Sequence, residues 1–155
     1  MTVDGRGGES GFERVDWPQT RLLHWCMFAG LALYAIVAAV VLTQGYFAGV
    51  FSPDPITRSA AALFVGLGSF IGLKVSRGAH QTPRSLDEPD AEAFQRTRFI
   101  LGWAVIEGSA FGGICFGLLA GNARLVLILA GMGLAAMFLA RPDLARLEAG
   151  MRRAR

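Results

Sequence analysis

Four long apolar stretches, separated by polar punctuation, organise this chain. They run from Leu22 to Thr43, from roughly Ile56 to Val75, from Phe99 to Ala120 and from Leu125 to Ala140. The third reads FILGWAVIEGSAFGGICFGLLA, long enough to cross a bilayer as a helix. The apolar parts of the second and fourth are shorter. Arg58 and Lys74 must therefore reach towards headgroups from the second, and Arg124 and Arg141 mark the ends of the fourth. The pattern predicts an all-α membrane protein, a four-helix transmembrane bundle with spans at about 22–43, 56–75, 99–120 and 124–140.

The polar segments give the limits. Residues 1–15 start with the Gly-rich MTVDGRGGESGF and are expected to be disordered. Asp16-Trp17-Pro18 looks like a helix start, with Asp as cap, Pro in the first turn and Trp17 suited to the interface. Gln44 to Pro55 forms an outer connection, with Tyr46, Phe47 and Phe51 at the interface. Residues 76–97 make the one substantial loop, broken by Pro83 and Pro89 and helical again from about Glu88. Gly121-Asn122 is a tight turn that makes the third and fourth spans neighbours. Arg141-Pro142 ends the transmembrane unit, residues 16–140. The tail, residues 141–155, is expected to form a short basic helix on an anionic membrane surface.

Composition supports this and adds an orientation. The chain is 53% hydrophobic and 17% charged, where soluble domains carry roughly 25% charged residues. The N-terminal segment, the middle loop and the tail hold 13 of the 15 Lys and Arg residues, which places both termini in the cytoplasm. The expected setting is the plasma (inner) membrane of a bacterium. The basic residues flank apolar segments, so the +3 net charge points to no nucleic-acid partner. The first stretch is too long for a signal-peptide core and is expected to stay as a span. Cys26 and Cys115 lie inside apolar segments without metal-type spacing and read as inert packing thiols.

One acidic residue, Glu107, stands near the middle of the third stretch. An ionisable group there is expensive, so it is either functional or hydrogen-bonded within a helix interface. Burial would favour its neutral form, allowing proton uptake and release near neutral pH. Small residues surround it. Gly108 and Gly112 are four apart, as are Gly113, Gly117 and Gly121, and the second span carries Gly66, Gly68 and Gly72. Such rows let helix backbones approach closely, and should hold Glu107 inside protein rather than in lipid.

The second and third spans together resemble the helical hairpin of the proteolipid (c) subunit of rotary ATP synthases. The residues concerned are the glycine-patterned VGLGSFIGLKVSRG, a loop containing QTPR, and a membrane-centred carboxylate among small residues in VIEGSAFGGICFGLLAG. The resemblance implies that Glu107 is the proton-carrying position. More loosely, the chain resembles small bacterial four-span proteins with an acidic residue before small residues in the third span, a likeness that implies no activity.

RLLHW, Arg21 to Trp25, resembles the start of the first span in bacterial b561-type cytochromes, where a His ligates haem. That resemblance implies His24 as a haem b ligand, with a Met such as Met27, Met132 or Met137 as a second ligand. The competing expectation is an interfacial His beside a belt Trp. Counted from the cytoplasmic side, His24 lies near the boundary and Glu107 about eight residues deep, roughly 12 Å apart along the axis. Direct contact is not expected. Asp87, Glu88, Asp90 and Glu92 face Arg84, Arg96 and Arg98 in sequence and read as a solvated helix start with weak local ion pairs.

No nucleophile motif, phosphate loop or metal-ligand cluster is present. The expected role is non-enzymatic. The glycine faces would pack against a second copy or other membrane subunits, in contact with the lipid bilayer. The alternatives are a proton- or cation-translocating element centred on Glu107 and a haem-binding electron-transfer subunit.

Overall fold

The computed structural model describes residues 17–79, 81 and 88–143. They form four helices, α1 (Trp17–Thr43), α2 (Pro55–Gly78), α3 (Glu88–Leu119) and α4 (Ala123–Leu139). The first three are long and apolar enough to cross a membrane. With 17 residues, α4 is shorter. At 1.5 Å per residue it covers about 25 Å of a hydrocarbon core about 30 Å thick. The protein is an all-helical four-helix bundle built to lie in a membrane. Asp16, His80, Pro83, Arg84, Asp87 and the basic tail beyond Asp143 lie outside the described residues.

Local chemistry sets the helix ends. Asp54 precedes Pro55, and its Oδ1 accepts from the Thr57 amide at 2.7 Å, which caps α2. Arg58 donates from Nε to the Pro53 carbonyl at 3.0 Å, so it is tied to the loop. Asn122 caps α4 by accepting from the Leu125 amide at 3.0 Å. Gly121 makes the preceding turn with φ 62°. A side chain there would strike the Ala48 carbonyl, 2.6 Å from its Cβ position. The outer loop folds onto this turn: the Val50 amide donates to Leu119 O at 2.6 Å, and Phe51 meets Phe116 edge to face.

The helices form a diamond in cross-section. α3 and α4 pack together on its short diagonal, and α1 and α2 flank both without touching each other. The most extensive contact joins α2 to α3. The apolar stretch of α3 is 44% buried, against 22% in α1 and in α2, so α3 is the central helix. The large residues left exposed, including Leu33, Ile36, Leu63, Leu67, Leu101 and Ile128, belong against lipid.

The glycines divide by position. A Cβ at Gly72 would lie 2.5 Å from the Gly102 carbonyl, and one at Gly68 would overlap Ser109. Gly102, which the sequence pattern did not single out, is covered by Ser76. Gly113 would strike Val65 at 2.7 Å and Gly117 would strike Val126 at 2.7 Å. Gly112 lies under Phe64 at 3.2 Å, and Gly66 is in ordinary contact with Met132 at 3.5 Å. These rows are used inside one chain, where α2, α3 and α4 meet. Gly108 differs: it is exposed, with nothing within 4 Å of its Cβ position.

Two outcomes follow. Gly102→Val should destabilise the protein in detergent by about 1–3 kcal/mol through overpacking, whereas Gly108→Ala should leave the thermal midpoint in place. Hydrogen bonds from the Thr57 side chain and backbone hold the Asp54 carboxyl below the ordinary aspartate value. Its contribution to stability is therefore complete above the unfolded value, about pH 3.9, and is lost as pH falls through the lower folded value. Asp54→Asn keeps the cap and should remove that share of the acid destabilisation, read from melts between about pH 3 and 6.

Candidate functional site in the α1–α3 seam

Trp103, Glu107 and Phe111 are spaced four apart and form one row along α3. Both ends of that row pack on α1. The Trp103 ring lies 4.7 Å from the His24 ring, and Phe111 meets Tyr34 edge to face at 5.3 Å. Glu107 therefore lies in the α1–α3 seam between these two contacts, half-buried, with no hydrogen bond or ion pair from a described residue. This differs from the sequence expectation. The tightly packed glycines turn towards α2 and α4, whereas Glu107 turns towards α1, the more loosely packed side.

α1 and α3 run in the same direction, with His24 against Trp103 and Tyr34 against Phe111, so Glu107 lies at the level of residues 28–30 of α1. A Cβ at Gly30 would meet nothing within 4 Å.

His24 closes the end of this stretch nearer the start of α1. It is 2% exposed, so its ring lies in the bundle interior rather than on the outer face. Its Nδ1 has no hydrogen-bond partner among the described residues, nor has the buried Thr20 hydroxyl one turn below it. Gln95 is buried on α3 at this end. Trp103 supplies the floor, and its Nε1 donates to the Ala140 carbonyl at 3.0 Å, tying the end of α4 to the seam. Trp25, beside His24, is exposed and edge-on to it.

The axial spacing of His24 and Glu107 also changes. Because His24 is level with Trp103, only four residues of α3 separate it from Glu107, about 6 Å at 1.5 Å per residue. The sequence count gave twice that, since it set His24 near the boundary and Glu107 about eight residues deep.

The other candidates are dispersed. The ring packed on His24 is that of Trp103, which offers no second ligand to a haem iron. Met137 is fully buried and Met132 exposed on α4, and Met27 is half-buried on α1. No group of three or more His, Cys, Asp or Glu among the described residues could hold a metal ion. Cys26 and Cys115 are free thiols. Arg98 stacks on Phe94 at 4.8 Å, and Asp90, Glu92, Arg96 and Arg98 make no ion pair among themselves. The hydroxyls of Ser69 and Ser76 are buried on α2, away from α1.

No protein family, curated protein or solved structure matches this chain.

Trp103→Phe should cost about 1 kcal/mol, the net value of a hydrogen bond, by releasing the Ala140 carbonyl. Its measurable sign is a lower melting midpoint, with the His24 imidazole resonances moved because the adjoining ring has changed.

Proposed function

We propose that this small integral membrane protein binds and releases a proton at Glu107, acting as a proton-handling element rather than an enzyme. The observation that carries the reading is the seat of Glu107. It is a carboxylate within a membrane-crossing helix, half-buried and without a partner from a described residue. A carboxyl meant only to bind neighbouring helices would be expected to find a donor in its own interface. The likeness of the second and third spans to the proteolipid hairpin supports the same role. The charge distribution supports a bacterial plasma membrane with both termini in the cytoplasm.

Infrared titration of protein in lipid, with Glu107→Gln as control, tests this. The expected result is a carboxyl band that disappears in the variant and titrates near neutral pH in the wild type. A band present and unchanged across the accessible range would make Glu107 a permanent hydrogen-bond donor and end the reading.

A second reading, assembly with another copy or subunit, is favoured by a different face. Ala104 and Gly108 are exposed and four apart on α3, beside Glu107, and would admit another helix. Gly113 and Gly117 cannot test it, because their space is filled by Val65, Leu129 and Val126 of the same chain. Gly108→Leu can. On the assembly reading it abolishes cross-linked oligomers in mild detergent while the monomer stays folded.

A further inference from the structure

Arg98 reaches from α3 across the end of α2. Its guanidinium fills the space beside Gly78, the last residue of α2, where a Cβ would overlap its terminal nitrogen. It also stacks on Phe94 at 4.8 Å. Lys74 stands one turn before Gly78 on the same face of α2, and residues four apart on a helix hold their Cβ atoms about 5–6 Å apart. The head of Arg98 and the root of Lys74 are thus neighbours on the lipid-facing side of the α2–α3 contact. We propose that these two cations hold the phosphate of an anionic phospholipid. The site is independent of Glu107 and of the proton-binding reading.

The surroundings of Lys74 point to a lipid. It is exposed, and its ammonium lies over the Phe70 ring, 5.3 Å from the centroid. Leu67, Phe70 and Ile71, three to seven residues before it on the same face, are all exposed large apolar side chains that belong against lipid. A cation on the lipid face of a membrane-crossing helix is costly unless an anion meets it.

The two helices supply no such anion. Neither Lys74 nor Arg98 forms an ion pair with a described residue, and both are instead packed on rings. Glu88, Asp90 and Glu92 precede Arg98 by six residues or more, at least about 9 Å along the axis and away from the apolar stretch. Glu107 lies nine residues after Arg98, about 14 Å the other way. Asp54 caps the opposite end of α2.

Depth fits a headgroup. α2 ends at Gly78, whereas α3 extends from Glu88 to Thr97 beyond the level at which Arg98 meets it. Arg98 therefore stands where the apolar part of the α2–α3 pair ends, and the Lys74 backbone is about 6 Å further in. A lysine side chain rises readily over such a distance to reach a headgroup. With the phosphate between the two cations, the acyl chains run along Leu67, Phe70 and Ile71. Arg77, exposed in the last turn of α2, adds to the positive field at this end.

Native mass spectrometry of the full chain in mild detergent, titrated with phosphatidylglycerol or phosphatidylcholine, tests the site. The wild type is expected to bind phosphatidylglycerol more tightly than phosphatidylcholine. Lys74→Gln and Arg98→Gln should each weaken phosphatidylglycerol binding about fivefold, the worth of one cation near an anionic headgroup, and leave phosphatidylcholine binding unchanged. Gly78→Leu, which takes the place of the guanidinium without altering charge, should weaken it as well. Arg124→Gln removes one exposed cation at the opposite end of the bundle and should have no effect. Melting and circular dichroism establish that each variant is folded. Equal affinity of the wild type for the two lipids overturns the site, as does an equal loss in Arg124→Gln. A loss in only one of Lys74→Gln and Arg98→Gln overturns the pairing, and Gly78→Leu binding like wild type overturns the position of Arg98 in it. Inorganic phosphate that displaces phosphatidylglycerol at equal concentration would make this a site for free phosphate and overturn the lipid assignment.

Discussion

The close approach of α2 and α3 at Gly72, Gly102 and Ser76 is the contact on which the rest of the bundle depends. Backbones meet there with no side chain between them, so the two helices share their longest interface. In lipid no hydrophobic force draws helices together, and such packing is a main source of association. It commits one side of α3. The adjoining side is committed to α4 through Gly113, Gly117 and the Ala110–Gly133 contact. Only the remaining flank is left for α1, and that flank carries Trp103, Glu107 and Phe111. The site is where the best packing is not.

That division explains how an acidic residue is tolerated in a glycine-rich helix. Glu107 set among Gly72, Gly102 and Gly113 would have to displace backbone. In the α1–α3 seam it has an aromatic contact one turn away on either side. Trp103 contributes twice, by packing on His24 and by holding the end of α4 through its indole nitrogen. Local order around the carboxylate thus comes from rings and from a single hydrogen bond, and not from a partner charge.

Much of the architecture was legible in the residues. Spans follow from apolar length, and the third–fourth hairpin follows from Gly121-Asn122, which the positive φ of Gly121 explains. The importance of Glu107 followed from its cost in a membrane. What the sequence could not give was direction. At 100° per residue, Glu107 and Gly113 point to different neighbours, and which neighbour lies where depends on the diamond arrangement. Gly102 was passed over because an isolated glycine carries no spacing signal, and it matters because Ser76 and the Gly72 carbonyl lie against it. The level of His24 relative to Glu107 is fixed by Trp103, a contact between spans far apart in sequence.

The absence of any contact between α1 and α2 has a consequence for biogenesis. α1 is made first, yet α3 and α4, the helices it rests on, are made after α2. Until those helices are made α1 has no partner within the chain, because its sequence neighbour does not touch it. Its outer loop is pinned over the Gly121 turn by the hydrogen bond from Val50 to Leu119. The seam that holds Glu107 is complete only once α3 has been made and α1 rests on it.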